Sequence, residues 1–200
     1  MEKSHLKAKT CCFTGHRNIP DNEIENIQFR LKAILETLIK SGIIFYGFGG
    51  AYGFDVLSAK AVLNIKETNP YVKLILVQPC LNQTRFWSDK NIEEYNLIKS
   101  KCDKVKCLSE KYYNGCMQVR NKHLVENSSV CIAYLTQNGG GTFFTVNYAR
   151  YKGLKIYNLG DLSDPSSLND VSAIFSVFLQ FLYSVNLQSA SSMYLGIVHK

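Results

Sequence analysis

The chain has 200 residues, of which 46% are hydrophobic and 20% charged, within the ordinary range for one folded domain with a real core, which argues against disorder. A formal charge of +7 and an isoelectric point near 9.0 favour phosphate-bearing partners, nucleotide or nucleic acid, by long-range attraction. The opening residues, MEKSHLKAK, are charged and have no apolar stretch of signal-peptide length behind them, so a cytoplasmic protein is expected.

In chain order, short apolar β-rich runs alternate with segments of helical period, the signature of parallel strands joined by crossover helices. A strand at 10–14 leads to a helix from Asp21, a capping residue, with Ile24, Ile27, Leu31, Ile34, Leu35, Leu38 and Ile39 on one stripe and Gly42 as its stop. A strand at 43–48, a helix at 56–66 and a near-continuously apolar strand at 72–78 follow. Further on the pattern gives a helix at 88–99, a weaker strand at 104–108, a helix at 117–126, a strong strand at 130–135, a helix at 142–151 and a last strand at 154–159. The fold class expected is α/β: a Rossmann-like, doubly wound, mostly parallel sheet with helices on both faces, spanning residues 1–160. Residues 161–200 form an expected C-terminal helical extension, because Val171 to Leu187 contains no charged residue. Its recurring serines and its short length favour packing on the domain or on a second subunit, as a homodimer, over a membrane anchor.

The seven cysteines show no CxxC pair and no zinc-type His spacing, so no metal is expected. Cys11, Cys12 and Cys131 lie in apolar runs, as small buried hydrophobes do. The run Lys99, Lys101, Lys104 and Lys106, interrupted by Asp103, reads as a solvated face.

Three segments place glycine and polar residues just beyond strand ends, where open parallel sheets bind ligands. Thr14-Gly15-His16-Arg17 combines a close backbone approach with a forked phosphate donor. Gly47 to Asp55, with Gly49, Gly50, Ala51 and Gly53, offers backbone N–H groups before a helix; Asp55 is either that helix's cap, a ribose ligand or a catalytic base. The spacing departs from GxGxxG, which argues against standard NAD binding. Gly139-Gly140-Gly141-Thr142 repeats the arrangement ahead of the next helix, with Thr145 adding a hydroxyl and Arg120-Asn121 reaching the same edge. Trp87, in the loop after Gln78-Pro79, is the candidate for stacking on a base.

Thr14-Gly15-His16-Arg17, GGAYGFD, Gln78-Pro79 with Trp87, Arg120-Asn121 through Ser128, and GGGTFFTVNYA together resemble the YpsA-like branch of the SLOG superfamily, over residues 9–160. That superfamily groups DprA proteins with LOG phosphoribohydrolases. The resemblance implies a Rossmann-like fold with a site for a nucleotide or nucleotide derivative and no required cofactor. LOG enzymes carry GGxGTxxE, and Thr145 stands at the place of that glutamate. A threonine does no carboxylate chemistry at neutral pH, so hydrolysis of an N-glycosidic bond would need Asp55 or Glu126 instead. Three readings follow: a nucleotide-binding or sensing protein, a phosphoribohydrolase-like enzyme with Asp55 as its carboxylate, and a DprA-like binder of single-stranded DNA.

Overall fold

The computed structural model describes residues 2–160. The apolar segment at 171–187 and its dimer contact fall outside the described residues. Strands β1 (Thr10–Gly15), β2 (Phe45–Phe48), β3 (Lys73–Gln78), β4 (Lys104–Cys107), β5 (Val130–Tyr134) and β6 (Lys155–Asn158) form one sheet in the order β4-β3-β2-β1-β5-β6. All five neighbouring pairs are parallel, so the mostly parallel sheet of the sequence reading is wholly parallel.

Helices α2 (Asp21–Lys40), α3 (Phe54–Lys66), α4 (Asp89–Ser100), α5 (Cys116–Glu126) and α6 (Gly140–Tyr151) supply the crossovers. Side chains alternate along each strand, and that alternation sorts the helices between two layers. Cys11, Phe13, Tyr46, Leu74, Leu76, Ile132 and Tyr134 pack with Ile27 and Leu31 of α2, Val62 of α3 and Ile98 of α4. Cys12, Val77 and Cys131 face the other way, onto Leu124 and Val125 of α5 and Ala149 of α6. All seven cysteines are free, and Cys11, Cys12 and Cys131 are buried as expected.

Three local details differ from the sequence reading. Gly53, not Asp55, stands at the cap of α3, and Asp55 lies in that helix's first turn. Pro20, not Asp21, stands at the cap of α2; Asp21 and Glu23 occupy the first turn, where the positive end of the helix favours their charge. A short helix, α1 (Glu2–Ala8), precedes β1, and Thr10 Oγ1 closes its end by donating to the Leu6 carbonyl at 2.7 Å. Seven residues with little apolar content give no period to read. Among the described residues no helix is long and apolar enough to cross a membrane.

The chain winds outward from β1 to β4 on one side, then returns through α5 to place β5 beside β1. Between the carboxyl ends of β1 and β5 the direction of winding reverses, which opens a crevice there by topology alone.

Candidate functional site

A cleft of about 630 Å³ occupies that switch point. Thr14, Gly15, His16 and Arg17 line it from the end of β1, Ala51 from the loop after β2, Asp55 from the first turn of α3, Arg120 and Asn121 from α5, and Gly139, Gly140, Gly141 and Thr142 from the start of α6. The three segments singled out in the sequence therefore converge. Gly49, Gly50, Gly53, Trp87 and Thr145 do not line the cleft.

The ends of the two central strands are tied across the crevice. Gly15 pairs with Tyr134 in register, the His16 N–H donates to the Tyr134 carbonyl at 3.3 Å, and the Thr136 N–H donates to His16 Nε2 at 3.1 Å. An accepting Nε2 requires the neutral imidazole with its proton on Nδ1. Burial also lowers the His16 pKa. Arg17 is exposed, with its guanidinium 5.1 Å from the centre of the Tyr52 ring.

The GGAYGFD loop departs from its expected role. The N–H groups of Gly49 and Ala51 donate to Asp55 Oδ2, at 3.1 and 3.2 Å, so they are spent inside the protein rather than offered to an anion. Arg120 Nη1 donates to the Gly49 carbonyl from the other side. Asp55 and Arg120 are only 6% and 7% exposed. Burial pushes the Asp55 carboxyl up, opposed first by the Arg120 charge; burial lowers Arg120, opposed first by Asp55. The glycines here answer to packing. A Cβ on Gly49 would lie 1.7 Å from the Arg120 guanidinium, and one on Gly53, at φ +83°, would lie 2.1 Å from the Arg17 carbonyl oxygen.

The third turn is different. Nothing lies within 4 Å of a Cβ built on Gly139, Gly140 or Gly141. No side chain caps α6, whose first N–H groups have no intrahelical acceptor and open onto the cleft. Behind them a relay sets their position: Arg120 Nε donates to Asn121 Oδ1 at 2.8 Å, Asn121 Nδ2 to Thr145 Oγ1 at 2.8 Å, and Thr145 Oγ1 to the Gly141 carbonyl at 2.7 Å. The Thr145 hydroxyl thereby gives its one proton to Gly141 while accepting from Asn121.

Trp87 packs edge-on between Tyr52 and Tyr95, with ring centres 5.4 and 5.7 Å away. It touches the ring that carries Arg17 rather than the cleft itself. Glu126 is bonded by the Tyr148 hydroxyl at 2.6 Å and also lies outside the cleft.

Sequence reasoning missed Asn18, Pro20, Glu23, Met117, Tyr134, Thr136 and Gln137, which also line the cleft. Tyr134 looked like one more apolar strand residue and Glu23 like the polar face of a helix. The available signal was topological, since the residues ending the strong fifth strand and starting the first long helix both flank a switch point.

A model of the YpsA family, described as the YspA SLOG family, matches residues 11–160. A UPF0398 protein of Halalkalibacterium halodurans is 26% identical over 107 residues, covering 52% of this chain and 57% of its own length. The SPbeta prophage-derived protein YoqJ of Bacillus subtilis is 28% identical over 145 residues, covering 65% and 85% respectively. Among solved structures, DNA processing protein A of Streptococcus pneumoniae superposes with a TM-score of 0.57 at 16% identity, over 84% of this chain and 57% of that one. The Helicobacter pylori protein, solved for its single-stranded DNA binding mode, gives 0.57 at 15%, over 92% and 83%. These structures share the fold. The matched region takes in every segment that lines the cleft, and this chain belongs to the YpsA SLOG family.

Proposed function

We propose that the cleft binds a nucleotide or a nucleotide-derived phosphate ligand, with the phosphate seated on the first turn of α6. The observation that carries this reading is the open space over Gly139, Gly140 and Gly141 at the switch point, above amides that no side chain caps. A helix amino end of this kind favours an anion through both its N–H groups and its dipole. Arg17, held over Tyr52 on the rim, adds a charged fork that reaches into the same cleft.

Binding has more support than turnover. The hydroxyl at the position of the LOG glutamate is committed to Gly141 and Asn121, and Asp55 is committed to the amides of its own loop. A ligand that binds only the folded state stabilises it by about 2.7 kcal/mol at a hundredfold excess over its Kd. A thermal-shift series of nucleoside mono- and diphosphates tests the proposal; no rise in Tm at millimolar concentration sinks it.

A second reading has its own observation. On the outer face of α6, Phe144, Tyr148 and Tyr151 stack in sequence, and Lys122 and Lys152 lie over their rings at 5.3 to 5.9 Å. Aromatic steps interleaved with cations suit a single strand of nucleic acid, the ligand named for the Helicobacter pylori neighbour. Binding of a labelled oligonucleotide that weakens steeply with salt and is lost in Tyr151→Ala supports it; no shift at low salt excludes it.

A further inference from the structure

The cleft's two long walls differ in chemistry. On the side of α5 and α6 stand the open amides of Gly139, Gly140 and Gly141. On the side of α2 stand Pro20 and Glu23, with Tyr134 beneath them on the same face of the sheet. The Tyr134 ring is held between Phe54, stacked at 5.9 Å, and His16, edge-on at 5.9 Å, and its hydroxyl donates to Glu23 Oε2 at 2.6 Å. A tyrosine hydroxyl has one proton to give. Giving it to Oε2 orients the carboxylate and leaves Oε1 without a bonded partner among the described residues.

This carboxylate is out of place in an anion site. Among the described residues no lysine or arginine forms an ion pair with Glu23, although the chain carries a net +7. Half-buried in a cleft whose far wall favours phosphate, an unpaired carboxylate repels the very group that wall attracts. It fits a ligand only where that ligand presents hydrogen-bond donors, and in a nucleotide the sugar hydroxyls are donors joined to the phosphate by a short covalent path. A carboxylate accepting from a vicinal diol engages both hydroxyls through its available lone pairs.

We infer that Glu23, oriented by Tyr134, is the residue that recognises the sugar hydroxyls of the ligand, so that the cleft selects ribonucleotides over deoxyribonucleotides. The inference rests on the nucleotide reading above and adds to it a substrate class and a specificity-determining pair. Glu23 touches the ligand; Tyr134 acts through Glu23 as a positioning residue. Asp55, the acidic residue that the sequence points to, is less suited to this role: it is only 6% exposed, its Oδ2 accepts from the amides of Gly49 and Ala51, and its charge faces Arg120.

The test is calorimetric titration of the full chain with the 5′-diphosphates of the four common nucleosides, each in ribo, 2′-deoxy and 3′-deoxy form, and with inorganic pyrophosphate. In the wild type at least one ribonucleotide binds, and its deoxy forms bind about tenfold to a hundredfold more weakly, because a hydroxyl donor to a charged acceptor is missing. Glu23→Ala brings the ribo and deoxy forms together while pyrophosphate binding is kept or strengthened. Tyr134→Phe keeps the ring packing and narrows the same ratio, and it carries the test if melting shows that Glu23→Ala does not fold. Equal wild-type affinities for ribo and deoxy forms overturn the inference and leave the nucleotide reading standing. A uniform loss of ribo, deoxy and pyrophosphate affinity in the variants also overturns it. No binding of any nucleotide by the wild type overturns both.

Discussion

His16 and Thr136 are joined across the centre of the sheet: the Thr136 N–H donates to His16 Nε2 at 3.1 Å, so the loop after β5 is held by an imidazole at the end of β1. The bond exists only while His16 is neutral. Burial holds its pKa below the ordinary 6.5. As pH falls the unfolded chain takes up this proton first, so the contribution to stability is whole above 6.5 and declines as pH drops below it, toward the lower folded value. Urea midpoints measured from neutral pH down to about 5 should fall more steeply in the wild type than in His16→Asn. Taking the difference between the two proteins removes the parallel effect of His123, whose pKa is lowered by burial and by Lys106. Equal slopes would show that the bond carries no such dependence.

Asp55→Ala should cost about 3–5 kcal/mol of folding stability, because it leaves the buried Arg120 charge uncompensated and two loop amides without an acceptor. Combining it with Arg120→Ala should cost less than the sum of the single changes, since the two groups compensate one another. Chemical denaturation of the four proteins measures this. A loss below about 1 kcal/mol in the single variant would remove the loop-holding role.

Two glycines separate packing from ligand approach. Gly53→Ala meets the Arg17 carbonyl at 2.1 Å in a left-handed backbone and should lose at least about 2 kcal/mol. Gly141→Ala meets nothing and should leave stability within about 0.5 kcal/mol. Its methyl group nevertheless enters the space above the α6 amides, so affinity for a phosphate ligand should drop about tenfold, the size of one lost charged hydrogen bond. Melting curves with and without ligand read both effects.

Arg17→Ala should weaken the same ligand by about tenfold at low salt and flatten the dependence of affinity on ionic strength, because an exposed cation is screened by added salt. Trp87 gives an optical check. It contacts the Tyr52 ring that supports Arg17, so a ligand-induced change in its fluorescence should vanish in Tyr52→Ala even where binding persists.

How much of this was legible beforehand follows from where each residue's role is decided. The strands and long helices are written in local period, as the stripe Ile27, Leu31, Ile34, Leu35 and Leu38 shows. The convergence of the turns at Gly15, Ala51 and Gly140 follows from the wholly parallel order of the sheet. What stayed hidden depends on contacts between distant parts of the chain. That the Gly49 and Ala51 amides are consumed by Asp55, and that Gly49 is small to admit Arg120 from 71 positions away, cannot be read from the loop itself. Glu23 was hidden for the same reason, since its partner Tyr134 lies 111 positions further on.

The thiols at the middle of the sheet turn the protein into its own stopwatch. Cys12 stands opposite Cys131 in register, Cys11 is its chain neighbour, and all three are inaccessible in the native fold. Cys102 and Cys107 are half-exposed and should react with an alkylating reagent while the protein stays folded. Cys12 and Cys131 become reachable when α5 and α6 lift from the sheet and Cys11 when the opposite helix layer does, so mass-resolved alkylation kinetics would time the opening of the two layers separately, without any introduced label.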